Sequence, residues 1–214
     1  YGYNYNINLT KTAAWVQGVF KYKKVDFFAA AEGSNTQFYR TGNVRNGLYP
    51  ADSYGKGDNN SFTNYSVKAG TTYKINGRNY IYASGSIGTK APYFENVYLS
   101  PRTRNTQQDN VTNESFQSFE AGYTMNAPKL KVHLSGYYTH FENQMDVMTF
   151  YHDGFQNLVN YALSGIDKLH FGGELGIEAK LTPTITANAV ASVGRYYYDS
   201  RQEATVTIDN TSDV

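Results

Sequence analysis

Few residues in this sequence have the types and spacing that chemistry requires. The four histidines, His133, His140, His152 and His170, form no His-x-x-x-His or HExxH spacing, and there is no cysteine. A chelated metal, a thiolate zinc site and a cysteine nucleophile therefore have no frame to sit in. Glu174 and Glu178 stand four apart in a stretch that reads as a strand. At about 3.3 Å per residue they would lie roughly 13 Å apart, beyond the roughly 5–10 Å of a glycosidase carboxylate pair. Gly70, Gly85, Gly88 and Gly172-Gly173 lack the GxxxxGK frame of a phosphate loop and suit curved strands instead. The expectation is a protein that is not an enzyme and needs no cofactor or metal.

Binding is a different matter. Tyr93 and Phe94 with Arg102 and Arg104 combine aromatic stacking surface with two guanidinium groups, which could hold an anionic or sugar-like ligand. Tyr151, His152 and Asp153, followed by Phe155, make a second candidate group. The competing reading is that these residues pack loops onto one another. Both groups fall in polar stretches, so their use depends on the elements that hold those stretches.

Those elements announce themselves by alternation. Tyr1, Tyr3, Tyr5, Ile7 and Leu9 alternate with Gly2, Asn4, Asn6, Asn8 and Thr10, the period of two that marks a strand with one apolar face. A short loop is expected after Leu9. Ala14, Val16, Gly18, Phe20 and Tyr22 follow, then a tight turn at Lys23-Lys24, then Val25, Phe27, Ala29, Ala31 and Gly33. A Gly-, Asn- and Asp-rich loop is expected over residues 40–60. Tyr65 to Ile75 and Ile81 to Ile87 flank Asn76-Gly77, a strong hairpin signal. Past a second long loop at 90–114, Phe119 to Met125 and Leu130 to Tyr138 flank a turn at 126–129. A third long loop is expected at 142–167, a last hairpin around Thr182-Pro183-Thr184, and a further loop over 196–213. About nine strands result, with short turns and long loops taking turns as connections, the asymmetry of outer-membrane barrels.

The two faces differ in chemistry. The positions assigned to the apolar face carry no Asp, Glu, Lys or Arg. The other face holds Lys68, Lys74, Glu120, Lys131, His133, His170, Glu174, Glu178, Lys180 and Asn188. An uncharged face suits lipid, where a charge costs about 2–4 kcal/mol at the midplane; a mixed-sign face suits a wet lumen. A soluble antiparallel sandwich would alternate in the same way, but strands of about 10 to 14 residues exceed its usual length of about 5–6. Composition agrees: 21 Tyr and 12 Phe supply rings suited to membrane interfaces. The 19 basic and 18 acidic residues leave no net charge to attract nucleic acid.

Two phrases carry a family resemblance. Lys90-Ala91-Pro92-Tyr93-Phe94, followed by Leu99-Ser100-Pro101-Arg102-Thr103-Arg104-Asn105, and Leu163 to Leu175 (LSGIDKLHFGGEL) resemble the C-terminal barrel half of TonB-dependent receptors of the Bacteroidetes type. Ala189 to Tyr198 resembles the strand that follows in that family. The resemblance implies a transmembrane antiparallel β-barrel of 22 strands, of which residues 1–214 are one part, the N-terminal plug and the terminal strands lying outside it. It further implies an outer-membrane transporter that imports a scarce ligand, powered by the TonB complex through the plug, among outer-membrane lipid and lipopolysaccharide. A surface lipoprotein partners one branch of the family; no phrase here places the chain in that branch. A passive porin, or a barrel serving as a structural subunit of an outer-membrane complex, remains the alternative.

Overall fold

The computed structural model describes residues 3–209. It is an antiparallel sheet with one short helix. The strands are β1 (Tyr5–Tyr22), β2 (Val25–Gly42), β3 (Gly55–Lys56), β4 (Asn60–Lys74), β5 (Asn79–Lys90), β6 (Glu114–Asn126), β7 (Leu130–His152), β8 (Asn157–Lys180), β9 (Thr186–Tyr198) and β10 (Glu203–Ile208), and α1 covers Phe94–Val97. The sheet order is β1-β2-β4-β5-β6-β7-β8-β10, with β3 on the end of β2 and β9 on β8. Among the described residues the sheet does not close. No helix among them is long and apolar enough to cross a membrane.

The short turns at 23–24 and around Asn76-Gly77, Pro128 and Pro183 all form, and each reverses the chain between adjacent antiparallel strands. Lys23 takes the left-handed conformation that its two-residue hairpin needs, at φ 53°. Four expectations are corrected. There is no loop after Leu9, because β1 runs unbroken with a constant register against β2. The stretch 142–167 is a hairpin: β7 continues to His152 and β8 starts at Asn157. The stretch expected as a loop from 196 contains the end of β9 and all of β10, and its residues past 209 lie outside the described ones, as do Tyr1 and Gly2 of the first alternation. The loop expected at 40–60 begins after Gly42 and holds the two-residue β3. The count among the described residues is therefore ten strands rather than about nine.

β9 and β10 act as one long strand interrupted at 199–202, because both run antiparallel to β8, one beside its lower half and the other beside its upper half. β7 bulges at the same level, with register shifts between Phe141, Gln144 and Asp146. Gly165 sits there at φ 65°, a conformation that glycine adopts without strain. Ser200 Oγ donates to the Gly165 carbonyl at 2.7 Å and accepts from the Asp167 amide at 2.8 Å. A strand needs roughly 9–11 residues to cross a bilayer, and β7 and β8 have 23 and 24. The halves above the break thus form a hairpin standing clear of the crossing band.

Pairing fixes the faces. Ala29 lies against Ala69, Ala69 against Gly85, Gly85 against Phe119, Phe119 against Tyr138 and Tyr138 against Phe171, a row that is uncharged from β2 to β8 and ends on β9 at Arg195. The adjoining row on the opposite face is Lys68, Ser86, Ser118, Thr139 and His170. Glu120, His133, Glu174 and Glu178 share that charged face through the same registers. One assignment reverses. Leu9 pairs with Phe38 and Ile7 with Arg40, and Phe38 packs against the folded segment that holds Phe94 and Tyr98. Tyr5, Ile7 and Leu9 therefore face the covered, charged side, and Asn6, Asn8 and Thr10 face outward. Of the three, Tyr5 packs against the buried cluster beneath the loops, while Ile7 and Leu9 point to the same side but stay 44% and 58% exposed.

Candidate functional site

At the long-loop end, two connections fold back across the charged face. Residues 91–113 carry α1 and a Tyr98–Gln107 bridge. Phe94, Val97 and Tyr98 bury themselves there against Phe38 and Phe62. Phe38 and Phe62 stack at 5.6 Å, with Phe94 edge-on at 5.9 Å. Rings placed this way add to the area they remove from water. Burial pushes the Tyr98 phenol upward, with Arg40 pulling the other way.

Arg40, only 2% exposed, ties both connections to the wall. Its Nε donates to the Pro101 carbonyl at 2.7 Å, and its Nη1 donates to the Ser53 carbonyl at 3.1 Å and to Asn105 Oδ1 at 2.7 Å. The guanidinium also lies over the Tyr5 ring at 5.0 Å. Gly42 is required beside it, since a Cβ there would fall 1.7 Å from the Ser53 carbonyl oxygen. Asp52 joins the two connections directly. Its carboxylate accepts from the Thr106 amide and hydroxyl, and its carbonyl accepts from the Asn105 amide at 2.7 Å.

A second polar cluster joins residues 98–106 to the tall hairpin. Arg102 pairs with Asp209 at 3.2 Å and donates to Asn160 Oδ1 at 3.4 Å. Asp209 also accepts from Ser100 Oγ and from Asn160 Nδ2, at 3.1 and 2.7 Å. Thr149 Oγ1 completes the set by donating to Asn160. Beside this cluster opens a cavity of about 530 Å³, lined by Asn46, Leu48, Arg102, Asn157, Leu158 and Asp209 among others. Its lining offers amides, one arginine–carboxylate pair and aliphatic surface, which together can orient a polar organic ligand by hydrogen bonds.

The seven residues singled out in the sequence fall into different places. Arg102 borders the cavity. Tyr151 pairs with Leu158, one of the lining residues, in the hairpin register. Tyr93 is 65% exposed, with the Lys90 ammonium over its ring at 5.1 Å. Phe94 is buried in the aromatic cluster. Arg104 is buried against the Tyr49 ring at 4.6 Å, its Nε without a hydrogen-bond partner among the described residues. His152 packs on Phe155 at 4.8 Å and Asp153 stands exposed in the hairpin turn. The structure thus brings Arg102 to the cavity, leaves Tyr151 beside one of its lining residues, and draws Phe94 and Arg104 into loop packing. Sequence reasoning missed Arg40, Asp52, Asn105, Asn160 and Asp209. Only Arg40 had a usable signal, since it continues the inward parity of β2 that Lys68 marks on the neighbouring β4.

No family model matches this sequence, and none of the curated proteins matches it. Among solved structures the copper transporter OprC matches with a TM-score of 0.69 at 16% identity, over 88% of this chain and 29% of that one. The chain therefore spans less than a third of the matched structure. At that identity the likeness speaks for the fold, and the fold is that of an outer-membrane β-barrel wall, present here as an open ten-stranded piece.

Proposed function

We propose that this chain is part of the barrel wall of a TonB-dependent outer-membrane transporter, whose mouth captures a scarce ligand before import. The observation that supports this best is the pair of connections folded over the charged face and fixed there by Arg40. Pinned loops form a shaped binding surface, whereas a wide passive pore needs only a rim. In this reading Arg102, Tyr93, Tyr151, His152 and Asp153 meet the ligand, and Phe94 and Arg104 hold the surface that presents them. The remaining strands of a 22-stranded barrel pair with β1 at one edge and with β9 and β10 at the other, and a plug fills the lumen and reaches the TonB complex.

The matched structure is named for copper, but the mouth described above argues for another cargo. Soft thiolate and thioether ligands select cuprous ions; this sequence has no cysteine and three methionines, and none of these borders the cavity. A polar organic ligand suits its amides and its arginine–carboxylate pair. The test is uptake by intact cells that produce the full-length protein, with and without a working TonB complex. Saturable uptake that stops when the complex is removed and weakens with Arg102→Ala supports the proposal. Unsaturable flux indifferent to both changes makes the protein a passive pore.

A further inference from the structure

Beneath the 91–113 connection, on the charged face, lies a smaller cavity of about 220 Å³. Its wall is built by Ser34 and Thr36 on β2, Ser66 on β4, Lys90 on β5 and Phe116 on β6, with Ala91 at the start of the connection. Each of these four strands is paired on both sides, so the wall is complete. Glu32, Ser66, Gly88 and Phe116 form one paired row across it. The row is bare in the middle: a Cβ on Gly88 would fall 2.6 Å from the Tyr65 carbonyl oxygen, so no side chain can fill that place.

Some polar groups here are committed and others are not. Asn64 Nδ2 donates to the Phe62 carbonyl at 3.1 Å, and Asn64 Oδ1 accepts from Asn113 at 2.7 Å. Lys90 pairs with the buried Glu114 at 3.0 Å and Lys11 approaches Glu32 at 3.9 Å, so the charges at the rim offset in pairs. The hydroxyls of Ser34, Thr36 and Ser66, in contrast, make no side-chain hydrogen bond among the described residues. Thr36 is only 8% exposed. A buried hydroxyl costs free energy until it finds a partner, and the connection above does not supply one. Its apolar cluster meets Phe38 and Phe62, one inward position higher on the same two strands.

We infer that this cavity binds a small neutral polyol, a single hydroxylated ring, at a seat in the lumen separate from the mouth. A hydroxyl both donates and accepts, so three uncommitted hydroxyls match ligand hydroxyls whichever way each bond runs. Adjacent strands lie about 4.8 Å apart and inward positions on one strand about 6.6–6.8 Å apart, which lets each group reach a different hydroxyl of one ring. Phe116 gives the apolar side of that ring a surface to cover. Water in a polar cavity makes the same bonds, and it is displaced without loss only by groups that reproduce them. The paired charges leave neither an anion nor a cation a free partner. The volume falls below the roughly 300–1,000 Å³ of sites for drug-sized ligands, which limits the occupant to about one ring. The inference rests on reading the charged face as the lining of an aqueous lumen.

Saturation-transfer NMR on the full-length protein, in a detergent without sugar headgroups, tests this with glucose, glucuronate and glucosamine, which share a ring and differ in charge. Glucose should bind, and the two charged rings should bind roughly fivefold more weakly. Thr36→Val, which keeps the shape of the side chain, should weaken glucose binding roughly fivefold, the size of one neutral hydrogen bond. Ser66→Leu, which fills the cavity, should abolish the signal. Ser84→Ala, on the same face of β5 but outside the cavity, should leave it unchanged, as should Arg102→Ala at the mouth. All variants should keep heat-modifiable migration on gels. Absence of glucose binding by the wild type, charged rings that bind as tightly, or a signal indifferent to Thr36→Val and Ser66→Leu would each overturn the inference. Labelling of Ser84→Cys by a water-soluble maleimide reads the lumen independently. Glucose that fails to bind where the wall is labelled overturns the site alone, whereas a wall that resists labelling overturns the aqueous lumen and the site together.

Discussion

Replacing Arg40 by alanine should loosen the mouth without unfolding the wall. The side chain makes three hydrogen bonds, to Pro101, Ser53 and Asn105, at 2.7, 3.1 and 2.7 Å. Each bond from a charged donor contributes about 1.5–3 kcal/mol net, a gross loss of about 4–9 kcal/mol. Against this, removing a buried guanidinium recovers several kcal/mol of desolvation. The net effect should be about 2–3 kcal/mol, confined to residues 43–54 and 91–113. Native-state hydrogen exchange in detergent or bilayer can read it. The Asn105 and Thr106 amides both bond to Asp52 across the two connections, and their protection should fall by about 30- to 150-fold, at 1.4 kcal/mol per tenfold. The amides of Ala69 and Ala83, in the middle of the paired strands, should be unaffected. Arg40→Lys should fall between the two, because an ammonium cannot span three acceptors with the same fork. Loop protection that changes by less than about threefold, or strand protection that falls in parallel, would refute the idea that Arg40 fixes the mouth.

Three further outcomes follow from the same structure. Gly165→Ala should cost about 1–2 kcal/mol through its φ of 65° alone, since nothing lies within 4 Å of the added Cβ; limited proteolysis of the β7–β8 hairpin should speed up accordingly. Tyr98 titrates higher when folded than when unfolded because it is buried. Its neutral form is therefore favoured by folding, the contribution is complete below the unfolded value of about 10, and it is lost as pH rises beyond that. Hydrogen exchange of the 91–113 segment should accelerate between about pH 10 and the higher folded value, while Tyr98→Phe should remove that dependence. Leu175→Arg should destabilise folding into lipid vesicles by about 2–4 kcal/mol if this position faces the bilayer midplane, whereas Glu174→Arg, one residue away and facing inward, should have a far smaller effect. Urea titrations of vesicle-inserted protein compare the two.

Much of the wall was legible in the sequence because lipid on one side and a wet interior on the other impose a strict period of two. From Ala14 to Val193 that period placed the crossing strands, the four short turns and the charges on the correct face. It failed where the physical contrast disappears. Above the crossing band both faces of a strand can be wet, so Asn35, Gln37 and Thr41 on β2 carry no apolar alternation and β2 was cut short. The same holds for Glu142 to Asp146 on β7, where bulges also shift the register. Tyr5, Ile7 and Leu9 show the opposite failure. Their alternation is real, but at that height the register turns it toward the charged face, where Tyr5 meets the loop cluster, and the sequence alone does not record which side faces inward. The site was less legible still. Its central groups are joined over long separations, Arg40 to Asn105 and Arg102 to Asp209, and no local spacing encodes such pairs. Aromatic and arginine residues in a loop announced that the 91–113 segment matters, without saying that Phe94 and Arg104 would turn inward and Arg102 toward the cavity.

The central claim is that one face of this sheet meets lipid and the other an aqueous interior, and a cysteine scan along β8 tests it most directly. The 214 residues contain no cysteine, so single substitutions at His170, Phe171, Gly172, Gly173, Glu174, Leu175, Gly176 and Ile177 report without background from this segment. In native outer membranes of cells producing the full-length protein, Phe171, Gly173, Leu175 and Ile177 should react with a membrane-confined reagent and resist a water-soluble maleimide. The residues between them should resist the membrane-confined reagent. Alternation of period two in the lipid-phase labelling is the predicted result. Uniform labelling of all eight positions from water would contradict the account at its base.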